Sequence, residues 1–83
     1  MTYSEFAKTT PVLYGYMMAN GKQLIGTFKP LWNKYSNSCN YFYMGKNGRK
    51  TKYGMTLTKT FNLISANRLS TDPANGDLSN YLS

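Results

Sequence analysis

The chain has 83 residues, of which 16% are aromatic, and a formal net charge of +7. A chain of this length forms one domain with a small core, and large buried rings partly compensate for the short length. One cysteine and no histidine exclude an intramolecular disulfide and a zinc site of the Cys/His kind. We therefore expect a single basic domain, residues 1–83, that holds no metal and no cofactor.

The charge is distributed unevenly. All ten basic residues lie between Phe6 and Leu69, a stretch without any aspartate or glutamate, and the three acids are Glu5, Asp72 and Asp77. A field of one sign attracts anionic partners but specifies no reaction. Paired carboxylates, a histidine base and a nucleotide-binding glycine loop are all lacking in the sequence. The composition predicts a binding protein and not an enzyme.

The start of the chain lacks the basic residues and apolar run of a signal peptide. No apolar stretch approaches the roughly 18 residues that a membrane span needs. Together with the single cysteine, these features predict a cytoplasmic protein without a membrane partner, located in the host cytoplasm if the chain comes from a phage.

The N-terminal segment, residues 1–9, carries a helix signal. Thr2 and Glu5 have the spacing of a capping box, in which the hydroxyl bonds the amide three residues later. This predicts a short helix over residues 3–8. Pro11 prevents the helix from continuing. The alternation of apolar and polar residues that follows predicts a β core over residues 11–66.

The dipeptide Asn20-Gly21 predicts a tight hairpin, because it supplies the positive φ angles of a type I′ turn. A two-residue loop there sets the register and gathers an apolar face. The predicted pairs are Met17 with Leu24, Gly15 with Gly26, and Leu13 with Phe28.

Asn47-Gly48 is a second signal of the same kind. The same rule pairs Met44 with Thr51, Phe42 with Tyr53, and Asn40 with Met55. This register assigns Tyr41 and Tyr43 to the opposite face, where they alternate with lysine stems.

Three further segments are less regular. Residues 60–65 alternate in the manner of a fifth strand. Residues 30–38 are predicted to form an irregular loop in which Trp32 and Tyr35 are possible anchors. Residues 70–83 form a tail with turn signals and at most one helical turn.

The predicted fold is mainly β, a small α+β domain in which two antiparallel hairpins and a fifth strand form a small SH3-like barrel or half-barrel. Residues 19–28, followed by the aromatic strand 40–44, resemble the hairpin pattern of SH3-like and Sm-like barrels. The resemblance implies a curled sheet and carries no functional residue with it.

The second hairpin is the candidate nucleic-acid site. Its cations would contact phosphates and its tyrosines would stack on bases, as in proteins that bind single strands. The candidate residues are Lys46, Arg49, Lys50, Lys52, Tyr41 and Tyr43. The sequence leaves DNA and RNA equally open. The alternative for these residues is that the charges keep the hairpin soluble and the rings pack on a neighbouring strand.

A different function is a small phage or mobile-element protein that inhibits a host protein, for example a defence or nucleic-acid-processing factor, by docking on an acidic or nucleic-acid-binding surface of it. Trp32 and Tyr35 are its candidate contacts, because tryptophan and tyrosine dominate interface hot spots. Trp32 could instead cover one end of the core. A component of a larger particle and a homodimer paired through a strand edge are two further alternatives.

Overall fold

The computed structural model describes residues 1–45 and 50–81, and for 50–52 it describes the backbone. Over these residues the protein is mainly β, with five antiparallel strands in one sheet and two short α-helices. The predicted fold class is therefore confirmed. The elements are α1 (Tyr3–Thr9), β1 (Leu13–Ala19), β2 (Lys22–Asn33), β3 (Ser38–Met44), β4 (Lys50–Thr56), α2 (Leu57–Ser65), β5 (Leu69–Ser70) and two 3₁₀-helices, Pro73–Gly76 and Leu78–Tyr81.

Helix α1 forms where the capping signal predicts it. The Thr2 hydroxyl accepts a hydrogen bond of 3.2 Å from the Glu5 amide. The helix ends at Thr10, whose φ is 37° and whose amide donates to the Phe6 carbonyl at 2.8 Å. Phe6 is fully buried, so its ring attaches α1 to the core.

The first hairpin has the predicted register throughout, from Ala19 opposite Lys22 to Leu13 opposite Phe28. Asn20 and Gly21 have φ angles of 53° and 76°, as a type I′ turn requires. The local turn chemistry therefore suffices to place β1 against β2.

Gly15 permits the close approach of β5 to β1. Its φ is 145°, and a Cβ atom there would lie 1.9 Å from the carbonyl oxygen of Arg68. That oxygen accepts a hydrogen bond of 3.1 Å from the Tyr16 amide. A side chain at position 15 would therefore separate the two strands.

Strand β2 is longer than predicted, and the expected irregular loop over residues 30–38 is wrong. β2 continues through Pro30 to Asn33, and residues 34–37 form the turn to β3. β1 begins at Leu13, opposite Phe28, so beyond that point β2 has only β3 beside it in the described chain. A proline is tolerated at such an edge, since one side of the strand needs no donor there.

The register predicted for the second hairpin is wrong by one residue. Tyr41 lies opposite Met55 and Phe42 opposite Gly54, with an irregularity in β3 between Phe42 and Met44. Tyr41 and Tyr43 consequently point to the core, and Phe42 lies on the other face. The sequence could not settle this, because large apolar side chains occupy both alternating sets in β3 and a bulge shifts one set against its partners.

The predicted fifth strand at residues 60–65 is instead part of helix α2. The hydroxyl of Thr56 accepts from the Lys59 amide at 3.3 Å, which caps the first turn. Leu57, Phe61 and Ile64 pack against the core at helical spacing. That period of 3.6 competes with the period-two pattern that favoured a strand.

The end of α2 has the geometry of a Schellman motif. Asn67 has a φ of 60°. Its amide donates to the Ile64 carbonyl at 3.0 Å, and the Arg68 amide donates to the Leu63 carbonyl at 2.9 Å. The chain thereby reverses directly into β5.

The sheet has the order β4-β3-β2-β1-β5, with β4 and β5 at opposite edges. Closure into an SH3-like barrel is not confirmed. The helices cover one face of the sheet, where the buried core consists of Phe6, Leu13, Met17, Phe28, Tyr41, Met55 and Leu69.

The C-terminal tail covers part of the other face. The Asn75 amide donates to the Tyr14 carbonyl at 2.9 Å, and the Tyr81 ring meets the Tyr16 ring edge-on at 5.0 Å. The Asp72 carboxylate accepts from the Ala74 amide at 3.0 Å and starts the first turn. The tail lies over β1 and the adjoining part of β2, so it does not extend to the far end of β2 and β3.

Candidate nucleic-acid interface

Tyr41, predicted to stack on bases, is a core residue, and that part of the prediction is wrong. Its exposed fraction is 0%, and its ring stacks on Phe6 with 5.6 Å between centroids. Its hydroxyl donates to the Pro11 carbonyl at 2.7 Å. Burial raises the pKa of Tyr41 well above its ordinary value. The side chain attaches the α1–β1 connection to the sheet and presents no face to a ligand.

Tyr43 is half-buried and also serves the fold. Its hydroxyl donates to the Ile25 carbonyl at 3.1 Å, and its ring lies 5.5 Å from that of Phe28. Both predicted stacking rings thus point towards the core because the β3 register differs from the expected one.

The cationic side chains of the predicted site lie outside the part of the chain that the structure describes. Lys46 and Arg49 lie outside the described residues. Lys50 and Lys52 lie in β4, where the description covers the backbone. A role for these four residues in binding phosphates therefore stays a prediction.

Trp32 and Tyr35 are exposed by 53% and 92%. They lie at the end of β2 and in the turn that follows, and Trp32 lines a hollow together with the buried Cys39 beside α1 and the start of α2. We call residues 29–42, apart from the buried Cys39 and Tyr41, the arm; there β2 and β3 extend beyond β1. The two rings are the largest exposed side chains of the arm.

The turn of the arm is held by its own asparagines. The Asn33 side-chain oxygen accepts from the amides of Tyr35 at 3.0 Å and Ser36 at 3.4 Å. Asn37 has a φ of 51°, a conformation that asparagine tolerates. These local bonds fix the backbone on which Tyr35 stands.

A shallow hollow of about 350 Å³ lies on the arm. Its walls are mainly apolar, with two side-chain amides among them. The lining residues are Leu31, Trp32, Asn33, Lys34, Tyr35, Asn40 and Phe42. Rings bordering a slot with amide groups at its edge suit a planar group that offers hydrogen-bond donors and acceptors, as a nucleobase does.

Two cations belong to this surface. The Lys34 ammonium lies 5.7 Å from the centre of the Tyr35 ring, within the range of a cation–π contact. Lys29 lies opposite Phe42 in the β2–β3 pairing and is exposed. The arm lies wholly within the acid-free stretch of the sequence, so its own charge is positive.

Sequence reasoning identified Trp32 and Tyr35 but missed Leu31, Asn40 and Phe42. The register error assigned Phe42 to the core, and the loop prediction separated position 31 from the strand that pairs with it. Asparagines at both ends of the true turn were the signal that could have limited the loop to residues 34–37.

Comparison of the chain with protein-family models, curated proteins and solved structures finds no match. Among the described residues, none of the helices combines the length and the hydropathy that crossing a bilayer requires.

Proposed function

We propose that the protein is a non-catalytic binder of single-stranded nucleic acid, DNA or RNA, and that the arm is its binding surface. One observation carries the proposal: Trp32 and Tyr35 are exposed beside Lys34 on a surface without acids. Aromatic platforms combined with cations are the usual means by which proteins hold single strands.

In this proposal the rings stack on bases and the lysines neutralise phosphates. Stacking contributes about 1 to 3 kcal/mol per base. Lys29 and Lys34 lie within the arm. Lys46, Arg49, Lys50 and Lys52 stay predicted phosphate contacts of the second hairpin. Each phosphate contact makes the affinity fall more steeply as the salt concentration rises.

The arm favours a single strand over a duplex. Bases in a duplex are stacked on each other and present only their edges, whereas a slot walled by rings receives a base by its face. The amides of Asn33 and Asn40 lie at that slot and could bond a base edge, so a modest preference among bases is expected.

The single tryptophan allows a direct test, because all indole fluorescence comes from Trp32. Oligothymidylate and oligouridylate of about fifteen nucleotides are titrated at about 50 mM and about 200 mM salt. We expect quenching of Trp32 on binding, and affinity that falls by at least about tenfold at the higher salt.

Variants locate the site. The double variant Trp32→Ala, Tyr35→Ser should bind at least about tenfold more weakly by anisotropy, since two stacking contacts are lost. Leu78→Ser removes an exposed apolar side chain from the tail and should bind as the parent does. Absence of binding at the lower salt would refute the proposal. If the parent binds without a change in Trp32 fluorescence, and the double variant binds as tightly as the parent, the arm is excluded as the binding surface.

A second function is favoured by the same exposure. Trp32 and Tyr35 are of the types that dominate protein interfaces, so we also consider a phage or mobile-element protein that inhibits a host protein. A stoichiometric partner captured from nuclease-treated bacterial lysate by the parent, and lost with the double variant, would favour this function over nucleic-acid binding.

A further inference from the structure

Two adjoining hollows, of about 230 and 320 Å³, lie between β1, β4 and helix α2, away from the arm. They share the side chains of Met17, Met18, Met55 and Lys59. We call this feature the methionine groove. Met17 and Met55 are 4% and 3% exposed and form its floor, while Met18 is 59% exposed and stands at its rim.

The groove is bordered by strand edges. In the described chain β1 pairs with β5 at Tyr14 and Gly15, so the later part of β1, from Met17, extends past the short β5. On the other side β4 is the last strand of the sheet. Such edges accept an added extended strand, which gains main-chain hydrogen bonds.

The charge of the groove has one sign. Lys59 and Arg68 are exposed and line the first hollow, and none of the described residues lining either hollow is acidic. The Arg68 guanidinium lies 4.5 Å from the centre of the Tyr16 ring, which positions its charge. The rim therefore complements carboxylates.

We propose that the methionine groove binds an extended acidic segment of another protein, with one large apolar side chain among the methionines and carboxylates at Lys59 and Arg68. Methionine side chains adapt their shape and are common at surfaces that accept varied apolar groups. Its two hollows, of about 230 and 320 Å³, lie below or near the lower end of the range for sites that hold drug-sized ligands, and the smaller one suits one inserted side chain. This inference does not depend on the function proposed for the arm.

Charge complementarity selects the occupant. A second copy of this chain would bring a further +7 to a rim that is already positive, and its few acids lie near the chain ends. Like charges at an interface oppose association. The positive rim attracts an acidic partner segment, whereas it repels a second copy of this chain.

The five methionines give the test a local readout. The chain is labelled with ¹³C at the methionine methyl groups and titrated with a blocked peptide whose central Leu-Phe pair is flanked on each side by two glutamates. We expect saturable shifts of the methyl signals of Met17, Met18 and Met55. Met1 and Met44 lie outside the groove, and their signals should stay in place.

Two control peptides separate the contributions. Replacing the glutamates by glutamines should weaken binding about tenfold, as expected for two or more exposed ion pairs. Replacing the Leu-Phe pair by Ser-Gly should abolish the methionine shifts. The double variant Lys59→Ser, Arg68→Gln should lose the same factor, whereas Lys29→Ser on the arm should lose none.

Four results would overturn the proposal: no saturable shift with the acidic peptide, equal binding of the glutamine peptide, shifts at Met1 and Met44 as large as those in the groove, or the same shifts with oligothymidylate. Methionine shifts that depend on protein concentration without peptide, together with a dimeric mass in sedimentation, would instead assign the groove to a second copy. Amide spectra verify that each variant is folded, so loss of binding is not loss of structure.

Discussion

The arm and the body of the domain use the same kinds of side chain in opposite ways. In the body Phe6, Phe28 and Tyr41 have no exposed surface, whereas on the arm Trp32 and Tyr35 are mostly exposed. The difference arises from what covers them. Helices α1 and α2 lie over the body, and the tail lies over the other face of β1 and part of β2.

This contrast separates stability from binding. A buried ring stabilises the fold through the apolar area that it removes from water, and an exposed ring leaves that surface for a ligand. Substitutions in the body should therefore change unfolding, and substitutions on the arm should change binding. Three predictions test that separation, beginning with the largest effect.

Phe6→Ala should cost about 3 to 5 kcal/mol of unfolding free energy. Phe6 is the buried ring of α1 and packs on Tyr41 and Phe61, so its loss leaves a cavity between the helices and the sheet. At about 0.05 to 0.15 kcal/mol per residue, a domain of 83 residues has about 4 to 12 kcal/mol in total, so this loss is a large fraction of its stability. Urea titration followed by circular dichroism measures the loss.

Tyr35→Ala is the matched control, and its unfolding free energy should stay within about 0.5 kcal/mol of the parent. A similar loss in the two variants would mean that the arm contributes to the core after all. It would remove the distinction from which the binding proposal proceeds.

Tyr41→Phe should cost about 1 kcal/mol at neutral pH, because the Pro11 carbonyl loses its donor. The larger effect of this substitution is on the unfolding free energy at alkaline pH. Burial raises the pKa of Tyr41 above its ordinary 10.0, so the residue ionises first in the unfolded chain. The contribution of Tyr41 to the unfolding free energy is therefore complete below pH 10.0. Above that pH it decreases by about 1.4 kcal/mol per pH unit.

Urea titrations between neutral pH and about pH 11 should show a shallower alkaline decline in Tyr41→Phe than in the parent. Burial also raises the pKa of Cys39 above 9.0, so part of the decline remains. Equal slopes in the parent and Tyr41→Phe would show that the Tyr41 ring is solvated.

Features set by a few neighbouring residues were predictable from the sequence. The Thr2 cap and the Asn20-Gly21 turn each specify one backbone conformation, and both elements formed as expected. Helix α2 was missed because the signals of its start and end, Thr56 and Asn67, are weaker than a capping box or a glycine, while its interior alternates like a strand.

The second hairpin shows the limit of such reasoning. Cys39, Tyr41 and Tyr43 on one side compete with Phe42 and Met44 on the other, so hydrophobicity alone assigns no inner face to β3. The decision came from distant contacts, among them Tyr41 with Pro11 and Phe6. The same decision placed Phe42 on the arm, so half of the candidate site depended on tertiary packing.

Trp32→Ala should give the smallest change in unfolding free energy, within about 0.5 kcal/mol. It tests whether an arm side chain can be removed without destabilising the body. Trp32 lies opposite Cys39 across β2 and β3, and both residues line a hollow beside the start of α2. Cys39 is 3% exposed, and its raised pKa keeps it as the less reactive thiol.

Removal of the indole should therefore speed reaction of Cys39 with a disulfide reagent severalfold while the urea midpoint stays in place. Trp32→Phe should restore slow labelling, because a ring again shields the sulfur. In Phe6→Ala, labelling should also quicken, but in proportion to the unfolded fraction. If Trp32→Ala shifts the midpoint as labelling quickens, the indole stabilises the body, and the arm is not a surface that is free to bind.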